Sequence, residues 1–385
     1  MKKPYLSVIA TSRNDNHGGN ALWRTQHFVS GLAAQALAFE VPIELILVDW
    51  NPPPEKPSLK NALTLPTDNP YFHSRVIQVP HAYHQQFQFS DQLPLFQYLA
   101  KNVGIYRAQG EYVLATNIDI LFSNALMKFL KAGLKPGHVY RVDRFDIEAD
   151  IPDGLPFPKV LEYAENHIIR VNSSRGTIPY SKFKAGIFPQ KANFIHFNTA
   201  ALYTALRMLV GYTLKNFNYY ITLPKSLKDL QKRPLGNPKK NLFNLAFGLK
   251  QQFWPLSKIL HTCACGDFTL MSKQDWHDLK GYPEWEIFSW HIDSVLIYQA
   301  YHNGLKMVSL NSSYPIFHIE HGKGSGWTPE GANALFNRLD EGKITYLDDK
   351  DLEEIFFQQA QNKKQGLQTI YNQTWGAADQ HFAED

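Results

Sequence analysis

Cysteine is nearly missing from this chain: two of 385 residues, Cys263 and Cys265. Only two positions apart, they cannot easily bridge each other, so a disulfide scaffold is excluded and a reducing, cytoplasmic setting is expected. Long hydrophobic runs are missing too. The opening MKKPYLSVIATSRND carries two lysines, but its apolar run stops at Arg13, too short for the core of a secretory signal. No later run approaches the ~18 apolar residues that a membrane span needs. The loop after the first apolar run has neither G-x-G-x-x-G nor a Walker lysine. Dinucleotide and P-loop readings therefore lack their fingerprints.

What is present is an ordinary globular composition with 14% aromatic residues, which suits stacking on sugars or bases. The length allows one large domain or two and a sizeable core. The net charge of +4 hides an asymmetry, because residues 206–260 hold ten Lys/Arg against one acid, Asp229. Interleaved with Phe217, Tyr219, Tyr220, Phe243, Phe247, Phe253 and Trp254, this basic segment suits an anionic membrane surface. The competing reading is a solvated lid with its aromatics folded inward. No nucleic-acid motif accompanies the charge, and no nucleic-acid partner is expected.

The most informative stretch is LAKNVGIYRAQGEYVLATNIDILF, residues 99–122. Leu99, Val103 and Tyr106 share one helix face, and Gln109-Gly110 is expected to end that helix in the left-handed conformation. Tyr112 to Ala115 reads as a buried strand. It stops at Thr116-Asn117-Ile118-Asp119, and Asp119 is costly to bury there unless it meets a cation or donors. Ligands of open α/β sheets sit at that edge; the competing role is a turn carboxylate capping the next helix.

Upstream, Tyr5 to Ala10 is a short strand leading into a polar loop, Thr11 to Gly19. Ala21 to Glu40 has helical spacing, and the strand Ile43 to Val48 ends in Asp49-Trp50-Asn51 and three prolines. Ser74 to Pro80 reads as a third strand, and most of the His-, Gln- and Phe-rich span 69–96 as loop. Ser123 to Leu134 reads as a helix capped by Ser123, and His138 to Arg144 as one further strand. This order of strands and helices predicts an α/β sheet covered by helices.

The arrangement resembles the centre of a nucleotide-sugar glycosyltransferase of the GT-A fold, family-2-like or galactosyltransferase-like. The likeness rests on Ala100-Lys101-Asn102-Val103-Gly104, on Ala108-Gln109-Gly110-Glu111-Tyr112, and on Asn117-Ile118-Asp119 in the place of a D-x-D motif. The first acid of that motif is here an amide, which offers an oxygen but no charge. The resemblance implies a Rossmann-like mixed sheet flanked by helices, with a large helical or loop insertion. It divides the chain into a nucleotide-sugar half (1–145), a basic-aromatic insertion (146–260) whose best helix is Leu202 to Leu214, an acceptor half (261–328) and a helical tail (329–385).

The resemblance returns at residues 261–327. Gly266 to Ser272 reads as a strand and Lys273 to Leu279 as a helix. Gly281-Tyr282-Pro283-Glu284 resembles the turn that GT-A enzymes place beside the acceptor. Asp293 lies eleven residues before Gly304, the spacing that similar galactosyltransferases use for their base, although the rest of their acidic cluster is missing; a helix-capping role competes. His318 and His321 take the place of an i, i+3 ligand pair, and a loop Gly-Lys-Gly-Ser-Gly follows.

The implied chemistry is transfer of a sugar from a UDP-sugar to a hydroxyl of a glycan, lipid-linked or protein acceptor, with inversion. Asp119, His318 and His321 would hold Mn2+ or Mg2+, and Asp293 would take the acceptor proton. Thr11, Arg13, Asn14, Asp49, Asn102, Asn117 and Lys323 would hold the donor. The protein is expected in the cytoplasm, with peripheral contact at the inner face of an anionic membrane through residues 206–260. Two other classes compete: a catalytically silent GT-A-like adaptor that binds glycan or nucleotide, and a metal-dependent phosphoesterase.

Overall fold

The computed structural model describes residues 2–186, 260–321 and 329–384, with no side chain described over 329–333. The first half runs β1 (Leu6–Ser12), α1 (Ala21–Phe39), β2 (Ile43–Trp50), α2 (Leu59–Ala62), β3 (Phe72–Val79), α3 (His81–His84), α4 (Gln97–Arg107), β4 (Tyr112–Thr116), β5 (Ile120–Phe122), α5 (Asn124–Ala132), β6 (His138–Arg141) and β7 (Arg144–Ile147). It continues through α6 (Phe157–Asn166), β8 (Ile168–Ser173), β9 (Gly176–Pro179) and α7 (Tyr180–Lys184). After residue 260 come β10 (Phe268–Ser272), α8 (Lys273–Leu279), α9 (Ile292–His302), β11 (Lys306–Ser309), β12 (Ile316–Ile319), α10 (Pro329–Glu341), α11 (Asp349–Lys364) and β13 (Ala383–Glu384).

Among the described residues, one sheet has eight strands in the order β11-β6-β10-β4-β1-β2-β3-β13. Its centre, β4-β1-β2-β3, is parallel, and β10 is inserted antiparallel between β4 and β6. Burial on both faces explains why β1 and β2 are mainly apolar, with the buried polar pair Ser7 and Glu44 hydrogen-bonded to each other. Val8 and Ala10 join Phe28, Val29 and Leu32 of α1 and Leu126, Met127 and Leu130 of α5 in one core. Ile9 faces the other way, onto α4, where Gly104 lets the helix approach; a Cβ there would stand 2.5 Å from Ile9. The α/β class, with a mixed sheet flanked by helices, is as expected.

A second sheet, β5-β12-β7-β8-β9, corrects the reading of His138 to Arg144 as one strand. The chain leaves the first sheet at Arg141 and enters the second at Arg144. The crossover is pinned by the buried Arg141 guanidinium, which donates to the carbonyls of His261, Cys263 and Cys265. Helix α4 also ends earlier than expected, at Arg107, and Gly110 is not left-handed. Gly110 is needed for contact instead: its N–H donates to Ser7 Oγ at 2.8 Å, and a Cβ would meet the Ser7 backbone nitrogen at 2.5 Å. Within 69–96 the strand is longer than read and α3 follows it.

The boundary drawn at 145/146 falls inside β7, and residues through 186 belong to the same compact unit as the first half. The tail is stitched to the far edge of the first sheet: β13 pairs with β3, and Arg107 donates to the carbonyls of Gly376, Ala377 and Gln380. The helix at Leu202 to Leu214, most of the basic segment 206–260, and Lys323 with its glycine loop lie outside the described residues. Ser123 caps α5 as expected, accepting from Leu126 N–H.

Candidate functional site

Strand β12 lies between β5 and β7, with His318 in register with Ile120 on one side and Asp146 on the other. The Ile319 N–H donates to the Asp119 carbonyl at 3.0 Å, which fixes the strand against the end of β4. On a continuing strand His318 and His321 would face opposite sides. The strand ends at Ile319, so His321 turns back. The Nε2 atoms of His318 and His321 come within 3.7 and 3.2 Å of Asp119 Oδ2. One ligand atom from each of the three residues lies within 4.8 Å of the other two. Asp119 Oδ1 is buried without a hydrogen-bond partner among the described residues.

Two features here escape sequence reading. The first is Arg24 of α1, whose Nη1 donates to Asp119 Oδ2 at 2.6 Å. The second is Asp146, whose Oδ1 lies 3.3 Å from His318 Nδ1 and which also faces Arg144 and Arg170. Burial would raise the Asp119 pKa, but His318, His321 and Arg24 hold it well below the usual carboxylate range. Burial and Arg144 press the His318 imidazolium down; Asp119 and Asp146 outweigh them, and the net shift is upward. Asp146, His318 and Glu320 form a second such group, but Arg170 pairs with both of its acids. Only the spacing Arg144-Phe145-Asp146 on one strand hints at this cluster.

Asn117 lies beside this cluster with both ends of its amide committed. Its Oδ1 accepts from Gln97 and from Lys101 Nζ at 2.9 and 2.8 Å, and its Nδ2 donates to Asp267 Oδ1. The oxygen expected to face the donor thus accepts from two side chains of the protein itself. Lys101 is buried, and burial brings its pKa down to about 8 against the pull of Asp267, Asp293 and Asp119. Asn102, fully buried, donates to Tyr282 O and Glu284 Oε1 and accepts from Tyr282 N–H, so it clamps the turn at 281–284.

The expected nucleoside residues gather where β1 and β2 end, since Ser12 is in register with Asp49. Thr11 donates to Val48 O and Asn14 to Pro57 O, so both hold the loop itself. Arg13 reaches Pro94 O and lies 3.4 Å from Asp15. Asp49 Oδ2 accepts from Leu59 N–H, while Oδ1 is buried without a hydrogen-bond partner among the described residues. Burial pushes the Asp49 carboxyl up to about 6, against the Leu59 bond and the nearby Arg13 charge.

Asp293 stands in the first turn of α9, after His291 in the left-handed conformation. Its Oδ1 accepts from Ser294 N–H, and its Oδ2 lies where a Cβ on Gly266 would come within 3.2 Å. Gly266 O in turn accepts from Lys101. Named contacts thus run from Gly266 through Lys101, Asn117, Asp267, Arg144, Asp146 and His318 to Asp119 and Arg24.

No family model and no curated protein matches this chain. Among solved structures it is similar to S. aureus TarS 1-349, at 12% identity over 94% of this chain and 72% of that one, with a TM-score of 0.37. It is likewise similar to that protein in complex with UDP-GlcNAc, at 12% identity over 94% and 73%, with a TM-score of 0.38. The mannosyltransferase PcManGT from Pyrobaculum calidifontis, in complex with GDP-Man and Mn2+, is similar at 11% over 93% and 70%, also at 0.38. Likeness this slight identifies no family. No helix among the described residues is long and apolar enough to cross a membrane.

Proposed function

We propose that this chain transfers a sugar from a UDP-sugar to a hydroxyl acceptor, using the carboxyl edge of its parallel strands in the manner of a GT-A enzyme. The observation that carries the proposal is the convergence of Asp119, His318 and His321 just beyond β4. One oxygen and two imidazole nitrogens suit Mn2+ better than Mg2+, which prefers oxygen alone, and Asp119 Oδ1, without a hydrogen-bond partner among the described residues, is a ligand atom left open. Bound there, a divalent ion would neutralise charge on the diphosphate as the nucleotide leaves. Asp146 Oδ1 stands 3.3 Å from His318 Nδ1, the ring nitrogen not counted among the ligand atoms near Asp119, and places a carboxylate behind that ring. Asp49 and the Thr11–Asp15 loop hold the nucleoside. Asp293 takes the acceptor proton as the new bond forms, which gives inversion. The basic segment 206–260 supplies contact with an anionic membrane, checked by salt-sensitive co-sedimentation with anionic but not neutral vesicles.

The first test is thermal denaturation with UDP-sugars, with and without Mn2+, followed by measurement of UDP release. Bound ligand raises the midpoint by mass action, and the expected result is a rise that requires both components. No rise with any nucleotide sugar would defeat the proposal. The committed amide of Asn117 favours a second reading, a binding module without turnover. A midpoint rise without UDP release from any donor, with every acceptor class tried, would support it.

A further inference from the structure

Arg24 lies 95 positions from Asp119 in sequence, yet its guanidinium fills one side of the Asp119 carboxylate. The loop before α1 makes this possible. Asn16, Gly18, Gly19 and Asn20 all take positive φ, between 50° and 77°, and the carbonyls of His17 and Gly19 meet the guanidinium. Nη2 donates to His17 O at 2.6 Å and to Gly19 O at 3.2 Å, and Nε donates to Gly19 O at 3.3 Å. The side chain is 4% exposed. This fixed fork leaves Asp119 Oδ2 with a cation and Oδ1 with no hydrogen-bond partner among the described residues, while two imidazoles stand by. The carboxylate that the proposed function gives to a metal therefore already has a resident counter-charge.

We propose that Arg24 is a built-in competitor of the divalent cation at Asp119, setting the affinity of the bare site low. The inference rests on the metal reading above and adds a residue that this reading does not use. Its physical basis is direct. A guanidinium already on Oδ2 neutralises the carboxylate and repels any dication brought to Oδ1 in a buried setting, where screening is weak. A diphosphate offsets this repulsion by supplying negative charge of its own. Metal binding therefore depends on nucleotide more strongly than it would at an unopposed Asp-His-His group.

The test is Mn2+ binding to the full chain, read by electron paramagnetic resonance of free Mn2+ and by calorimetry, with no sugar or acceptor present. Arg24→Met keeps an unbranched, mostly aliphatic stem and removes the charge; it should bind Mn2+ tenfold or more tightly than the parent. Arg24→Lys keeps a cation and should gain less than threefold. Should Arg24→Met melt early, Arg24→Gln retains one N–H for the His17 carbonyl and carries the same expected gain. A merely structural role for Arg24 would not tighten metal binding. Equal Mn2+ affinity in parent and uncharged variants would overturn the competitor while leaving the metal site standing. Mn2+ binding to none of them would remove the metal reading and this inference together.

Discussion

The Lys101 ammonium donates a 2.8 Å hydrogen bond to the Asn117 amide oxygen, and on the other side the Asn117 amide nitrogen donates to Asp267. A single planar group thus bridges a cation and an anion. Only an amide can do so, since a carboxylate has no N–H to give. The departure from an acid at the first motif position therefore has a local cause. Asn117→Asp would press a second carboxylate against Asp267, and one of the pair would have to hold a proton. Its folded pKa would rise, so the variant keeps its stability at acid pH and loses it as pH increases. The expected loss is about 1–3 kcal/mol at pH 8, shrinking at pH 5. Urea denaturation of parent and variant at both pH values measures it, and parallel profiles would refute the bridging role.

Asp49 should cost the fold stability in the ionised state. Its carboxyl is held up at about 6, above its ordinary 3.8, so its protonated form is favoured in the folded chain. Stability from this group is complete below pH ~4 and is lost as pH rises to about 6. The shift corresponds to roughly 3 kcal/mol. Asp49→Asn keeps an oxygen for the Leu59 N–H and removes the charge. It should be more stable than the parent by up to about that amount at pH 8 and equal to it at pH 4. If Asp49 also holds the nucleoside, UDP affinity should fall in the same variant, a gain of stability with a loss of function. A stability difference independent of pH would show that Asp49 is not the buried acid described.

The order of strands and helices was legible because the central strands are apolar on both faces and the flanking helices carry a clear period. Three features were not. The break between Arg141 and Arg144 has no glycine or proline to mark it; it is made by Arg141 meeting carbonyls 120 to 124 residues away. Asn102 sits in a motif-like run, but its partner turn at 281–284 is known only from the fold. Arg24 lies on the apolar-looking helix α1, and nothing in its neighbours announces Asp119. Asp119, His318 and His321 were legible as a group only through resemblance, since their sequence separation carries no geometric information.

His321 and His318 should separate in their effects. His321→Ala removes an imidazole lying past the end of β12, at the margin of the site. Mn2+-dependent UDP binding should weaken tenfold or more, with UDP affinity in chelator unchanged. His318→Ala should in addition destabilise the fold, because it opens a cavity between Asp119 and Asp146, two buried carboxylates that the ring now separates. Calorimetry with and without Mn2+ reads the first effect and denaturation the second. Unchanged Mn2+-dependent affinity in His321→Ala would remove it from the ligand set.

Asp293 is the residue whose replacement most directly tests the chemistry. An acceptor hydroxyl is far less acidic than a carboxylic acid, so its proton is not lost before attack. A positioned carboxylate takes it as the bond forms, which is typically worth ~10²–10⁴ in rate. Asp293→Asn keeps an oxygen for the Ser294 N–H, so the first turn of α9 should stay formed. The carboxylate lies near Gly266, whose carbonyl is held by Lys101, and Asp267 and Asp119 still favour the Lys101 charge when Asp293 is neutralised. Transfer should therefore collapse while UDP-sugar and Mn2+ affinities and the melting midpoint stay near those of the parent. Full transfer in the variant would move the base elsewhere. Asp267, the next acid in the same neighbourhood, is already shared between Asn117 and Arg144, so it would first have to give up one of those partners. Loss of donor binding together with transfer would instead mean that Asp293 holds the site in shape.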